Sequence, residues 1–179
     1  MTDDRKRALD EAVRRNRARR LAPQWLADLS SHLGCGVGPD DLLSIDQTRR
    51  LRERFFGRVS DIAVEGTGRA CAEGARLIWS GRLCPCAMSA LELLARTVGE
   101  QTVVMFNSVD EVIGAVRVPV GRALAAAETL TDFAEMDLCL TTMSVECGLC
   151  FEQDRFGKLP RCELTVWGEW ADALRFRGP

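Results

Sequence analysis

Three stretches near the C-terminus alternate apolar with polar residues at a period of two, and nothing else in the chain constrains its fold as strongly. Met136, Leu138 and Leu140 alternate with Asp137, Cys139 and Thr141; Leu149 and Phe151 flank Cys150; Cys162, Leu164 and Val166 alternate with Glu163, Thr165 and Trp167. A chain with this period sends successive side chains to opposite faces, so each stretch is expected to be a strand with at least one face buried. The short connector from Asp154 to Pro160, with Gly157 inside it, suits an antiparallel hairpin between the last two strands.

Upstream, Val103 to Phe106 is a short continuous apolar run of the kind a sheet interior takes. Val112 to Val120 reads as a further strand after an Asn107 to Glu111 turn. Ala123, Ala126, Ala127, Leu130 and Phe133 sit at helical spacing, as do Met88, Leu91, Leu94 and Ala95 behind Pro85. The first 56 residues predict three helices. One is polar and runs from Thr2 to Arg20, one follows Pro23 and carries Trp25, Leu26, Leu29 and Leu33, and one spans Asp46 to Phe56. In residues 57–82, Gly66, Gly68, Gly74 and Gly81 interrupt an otherwise helical mix that includes Leu77, Ile78 and Trp79. The expectation is an α+β fold, a mainly antiparallel mixed sheet of about five strands packed with helices and preceded by an N-terminal helical segment.

Charge divides the chain in the same place. Residues 1–58 hold 13 basic and 9 acidic side chains, net +4, and residues 59–179 hold 11 and 17, net −6, within a total of −2. This predicts a basic helical segment, 1–58, and an acidic α+β domain, 59–179. No run approaches the ~18 consecutive apolar residues of a spanning helix. Met1 to Arg20 is charged from the third residue and has no apolar signal core, which predicts a cytoplasmic protein with no membrane partner. Its eight cysteines are then expected as reduced thiols.

Cys147 and Cys150 have C-x-x-C spacing, Cys84-Pro85-Cys86 is a second pair, and His32 and Cys35 add possible ligands, so a zinc-binding or cysteine-dependent redox protein is one alternative. The spacing weighs against it: Cys150 continues into a strand instead of forming a knuckle or opening a helix, and buried packing is the commoner use of intracellular cysteine. No G-x-S-x-G or P-loop occurs, and no motif places a nucleophile beside His32, the one histidine, so no catalytic residue, cofactor or metal is assigned. The arginines at 14, 15, 17, 19 and 20 and at 49, 50, 52 and 54 suggest nucleic-acid binding as a second alternative, without the interleaved aromatics of a stacking platform. Between Leu124 and Glu163 eight acids face three bases, net −5, a field suited to a basic protein partner.

The segments Glu135 to Thr142, Gly148 to Asp154 and Glu163 to Gly168 resemble the closing portion of small immunity proteins of bacterial polymorphic-toxin and contact-dependent growth inhibition systems, of the YxiF-like kind. The resemblance covers about the last 80 residues and rests on structural motifs. It implies a protein that is not an enzyme and binds a cognate toxin domain, often a nuclease. The residues expected to face that partner are Asp132, Glu135, Asp137, Glu152 and Asp154, with Trp167 and Trp170 as aromatic anchors.

Overall fold

The computed structural model describes residues 3–65, 75–82, 85–133, 137–154 and 161–175. Its strands are β1 (Ala75–Arg82), β2 (Thr102–Met105), β3 (Val116–Pro119), β4 (Leu138–Thr141), β5 (Gly148–Asp154) and β6 (Arg161–Trp167). They form a six-stranded sheet in the order β1-β6-β5-β4-β2-β3, and every pairing is antiparallel. The fold class is α+β, as the periodicity predicts. Two details differ: no parallel pair occurs among the described strands, and Leu77, Ile78 and Trp79, expected in an interrupted helical mix, lie in the edge strand β1, because pairing with β6 extends the chain there. The β5–β6 pairing is the expected hairpin; its connector lies outside the described residues.

Both faces of the central strands are buried, and helices cover each. On one face Met105, Leu140, Leu149, Phe151, Leu164 and Val166 pack against α1 (Asp3–Leu33), α3 (Pro85–Thr97), α5 (Val120–Ala125), α6 (Ala127–Phe133) and α7 (Glu169–Arg175). On the other, Val104, Phe106, Cys139, Cys150 and Trp167 meet Leu51, Phe55 and Ile62 of α2 (Ile45–Glu65). The result is three layers, helix on sheet on helix. The charge boundary after Arg58 falls inside α2, and both N-terminal helices supply core residues, so segment 1–58 packs as part of the same body.

The two expected N-terminal helices are one, because Pro23 lies within α1 and faces solvent. Proline removes one backbone hydrogen bond there, whose orphaned carbonyl belongs to exposed Arg19 and can turn to water. Leu26, Leu29 and Leu33 hold the next turns against the sheet. The expected strand over 112–120 is shorter than its apolar run. Residues 110–113 wind into α4 (Asp110–Ile113), and Gly114, at φ 94°, redirects the chain into β3. A Cβ at Gly114 would lie 2.0 Å from the carbonyl oxygen of Leu43, so only glycine lets these segments approach while the Leu43 amide donates to the Ala115 carbonyl at 2.8 Å.

Phe55 centres the α2 layer, its ring 5.0 Å from Phe106 and 5.3 Å from Trp167. It is fully buried, whereas its neighbour Phe56 is 36% exposed. Phe55→Ala is expected to cost about 3–5 kcal/mol of stability, read as the shift of a guanidinium unfolding midpoint, and Phe56→Ala clearly less. Equal losses would show that α2 does not pack as described.

Candidate functional site

The residues expected to face a partner separate into two groups. Asp137 immediately precedes β4, and Glu152 lies on β5; their carboxylates both act on the Cys150 thiol, so the fold brings them together on the α2 side of the sheet. Glu152 is exposed and stands in register opposite Glu163 of β6. Asp154 ends β5, Asp132 belongs to α6, and Glu135 lies outside the described residues.

The two tryptophans are not surface anchors. Trp167 is 0% exposed and Trp170 2%. The Trp167 ring lies over Gly148, where a Cβ would come within 2.3 Å of it, and its indole N–H donates to the Val145 carbonyl at 3.1 Å. Trp170 packs with Ala171 and Leu174 of α7 under the opposite face. Alternation correctly separates Trp167 from Leu164 and Val166, but the second helix layer then buries the face it points to.

The cysteines pair differently from their spacing. Cys150 faces Cys139 across the β4–β5 ladder, with sulfurs 3.4 Å apart, whereas Cys147 precedes β5 and packs toward the other core. The hydrogen bond with Cys139, burial, and the charges of Glu152 and Asp137 all push the Cys150 thiol well above its usual range, which keeps it protonated and a poor nucleophile. His32 stacks on Phe133 at 4.8 Å between ring centroids. Cys84 lies outside the described residues.

A second constellation forms where α1, α2 and α4 meet. Arg14 and Arg17 share one face of α1, and Thr48, Arg49 and Arg52 share one face of α2, each set at helical spacing. With Val13, Ile45, Asp110, Glu111 and Val112 they line a cleft of about 380 Å³. Its floor is fixed by buried polar contacts. Asn107 accepts from the Val109 amide at 2.9 Å and donates to the Gly114 carbonyl at 3.3 Å, and the Thr48 hydroxyl accepts from the Ala115 amide at 2.9 Å. These bonds set Asp110 at the start of α4, where its side chain is 0% exposed and Oδ1 accepts from Arg52 Nη1 at 2.5 Å. Oδ2 has no hydrogen-bond partner among the described residues. Arg52 also lies 5.5 Å from the centre of the Phe56 ring. Arg54, from the same cluster, instead caps the Ser144 carbonyl. Sequence spacing displays these arginines, but Asp110 reads there as one more turn residue.

No protein-family model, curated protein or solved structure matches the chain. No helix among the described residues is long and apolar enough to cross a membrane.

Burial raises the Asp110 pKa above the ordinary 3.8, and outweighs the opposing pull of the Arg52 charge and of the Asn107 backbone. The folded protein therefore holds this proton more tightly than the unfolded chain does. Stability from Asp110 is full below the unfolded value and is lost as pH rises through the folded one. Asp110→Asn removes that slope, so the variant's stability relative to the wild type is expected to climb as pH rises from about 4. Urea unfolding at a series of pH values measures it; parallel curves for the two proteins would refute the assignment.

Proposed function

We propose that this chain is an immunity protein that acts in the cytoplasm by binding a cognate bacterial toxin domain, a nuclease, and blocking its functional surface without catalysing a reaction. The observation that carries the reading is the alignment of acids across neighbouring strands, with Glu152 opposite Glu163 and Asp137 beside Glu152. Acids gathered on neighbouring strands give that end of the sheet a negative field, which a basic partner would complement. Nucleases are basic where they hold nucleic acid phosphates, so an acidic face on a rigid sheet is complementary to the surface that must be covered. The net −5 between Leu124 and Glu163 extends the same field. The resemblance of segments 135–142, 148–154 and 163–168 to toxin-immunity proteins supports the reading independently of charge.

With Trp167 and Trp170 in the core, such an interface is led by charge, and the acids are its working residues. Asp137 and Glu152 also interact within the chain.

Co-expression with the toxin domain encoded beside this chain is expected to restore growth, and the purified pair to associate as a stable complex. Glu152→Lys is expected to slow association about tenfold at low salt, with a smaller effect at high salt. Failure of the neighbouring gene product to bind would defeat the proposal, as would an association rate insensitive to both Glu152→Lys and salt.

A further inference from the structure

We infer that the cleft between α1, α2 and α4 binds a phosphate monoester of nucleoside size, its phosphate held by the arginine rim and a hydrogen-bond donor on its organic part directed to Asp110. The inference does not depend on the toxin reading, which concerns the acidic end of the sheet.

Four guanidinium groups, Arg14, Arg17, Arg49 and Arg52, line one cleft from two helices. Arg52 is bonded to Asp110, and Arg49 makes a loose, exposed contact with Asp46 at 3.7 Å; no ion pair is found for Arg14 or Arg17 among the described residues. Solvated arginines on one helix would be unremarkable, but two helices placing like charges around a shared cavity must bear their mutual repulsion. The acids lining the cleft, Asp110 and Glu111, leave the four arginines in excess by two charges. A phosphate monoester carries about −1.5 to −2 at neutral pH and three acceptor oxygens, enough for several guanidinium forks at once.

The unpartnered carboxylate oxygen of Asp110 is the independent sign of a ligand. A buried acceptor left unsatisfied costs about 1–3 kcal/mol, more when charged, and such atoms are rare in folded proteins. Asn107, Thr48 and the Arg52 contact hold Asp110 at the cleft floor. A hydroxyl or amino group of a bound molecule would satisfy Oδ2 directly or through one water. Val13, Ile45 and Val112 supply apolar wall for the flat part of such a molecule, and about 380 Å³ lies at the small end of known ligand sites. No aromatic ring lines the cleft among the described residues, so it is suited to a single nucleotide in preference to a stacked strand of nucleic acid.

The test is calorimetric titration of the full chain with the four common ribonucleoside monophosphates, with inorganic phosphate, and with adenosine. At least one monophosphate is expected to bind more tightly than both inorganic phosphate and adenosine. Arg17→Ala, an exposed position that leaves the core intact, is expected to weaken that binding about tenfold or more. Asp110→Asn is expected to bring the monophosphate and inorganic phosphate affinities together, since it removes the second acceptor oxygen. The inference is overturned if no monophosphate binds, if inorganic phosphate binds as tightly as every monophosphate, which would mean an adventitious ion only, or if Arg17→Ala binds like the wild type. Arg17→Ala decides the matter even if Asp110→Asn does not fold.

Discussion

The fold depends on burial of both faces of its central strands. A sheet with one wet face needs a single helical layer, but here Val103 and Met105 point one way and Val104 and Phe106 the other, and none has water to meet. Each face needs its own cover, and a fully buried large apolar side chain is worth roughly 1.5–3 kcal/mol. The C-terminal helices and the second half of α1 cover one side. Among the described helices α2 alone covers the other, and it does so around Phe55. The N-terminal segment, basic and thinly apolar, is thereby drawn into the body of the fold.

Drawing α2 onto the sheet brings a polar seam into the interior. The turn between β2 and β3 must meet the start of α2, and its backbone groups are satisfied by side chains, Thr48 from the helix and Asn107 from the turn itself. Asp110 sits in that seam with Arg52 as its ion-pair partner. The pair is a compromise: removing a carboxylate from water costs more than the Arg52 contact and the Asn107 backbone return, which is why the Asp110 pKa stays raised despite an adjacent guanidinium. Stability alone does not account for a carboxylate in that position, whereas a ligand offering a second hydrogen bond does.

Charge organises the surface along lines different from the packing. Asp137, just before β4, and Glu152 of β5 gather at the sheet, and the arginines of α1 and α2 gather around the cleft. Because the layers lock these groups onto one body, each field is held at a fixed orientation, the property that makes electrostatic recognition selective. The arginine cluster on α2 also divides internally. Arg54 closes a loop through a backbone carbonyl, Arg52 neutralises a buried acid, and Arg49 lines the cleft. Adjacent residues of one type thus do separate work according to the helix face they occupy.

What the sequence determined by itself is local. Period-two alternation is enough to place β4, β5 and β6 and to imply their antiparallel pairing, and the helical spacing of Leu26, Leu29 and Leu33 marks the buried stripe of α1. These signals are legible because side-chain direction repeats along a regular backbone. Only the tertiary structure decided the rest. Pro23 does not end its helix because later turns are held by distant packing, β1 exists because β6 offers it an edge, and Trp167 is interior because α2 covers its face. The cleft is the clearest case: Arg14, Arg49 and Asp110 belong to three segments far apart in the chain, and no periodicity encodes their meeting. Local pattern reports which way a side chain points; what it meets there is set by which surfaces must be buried together.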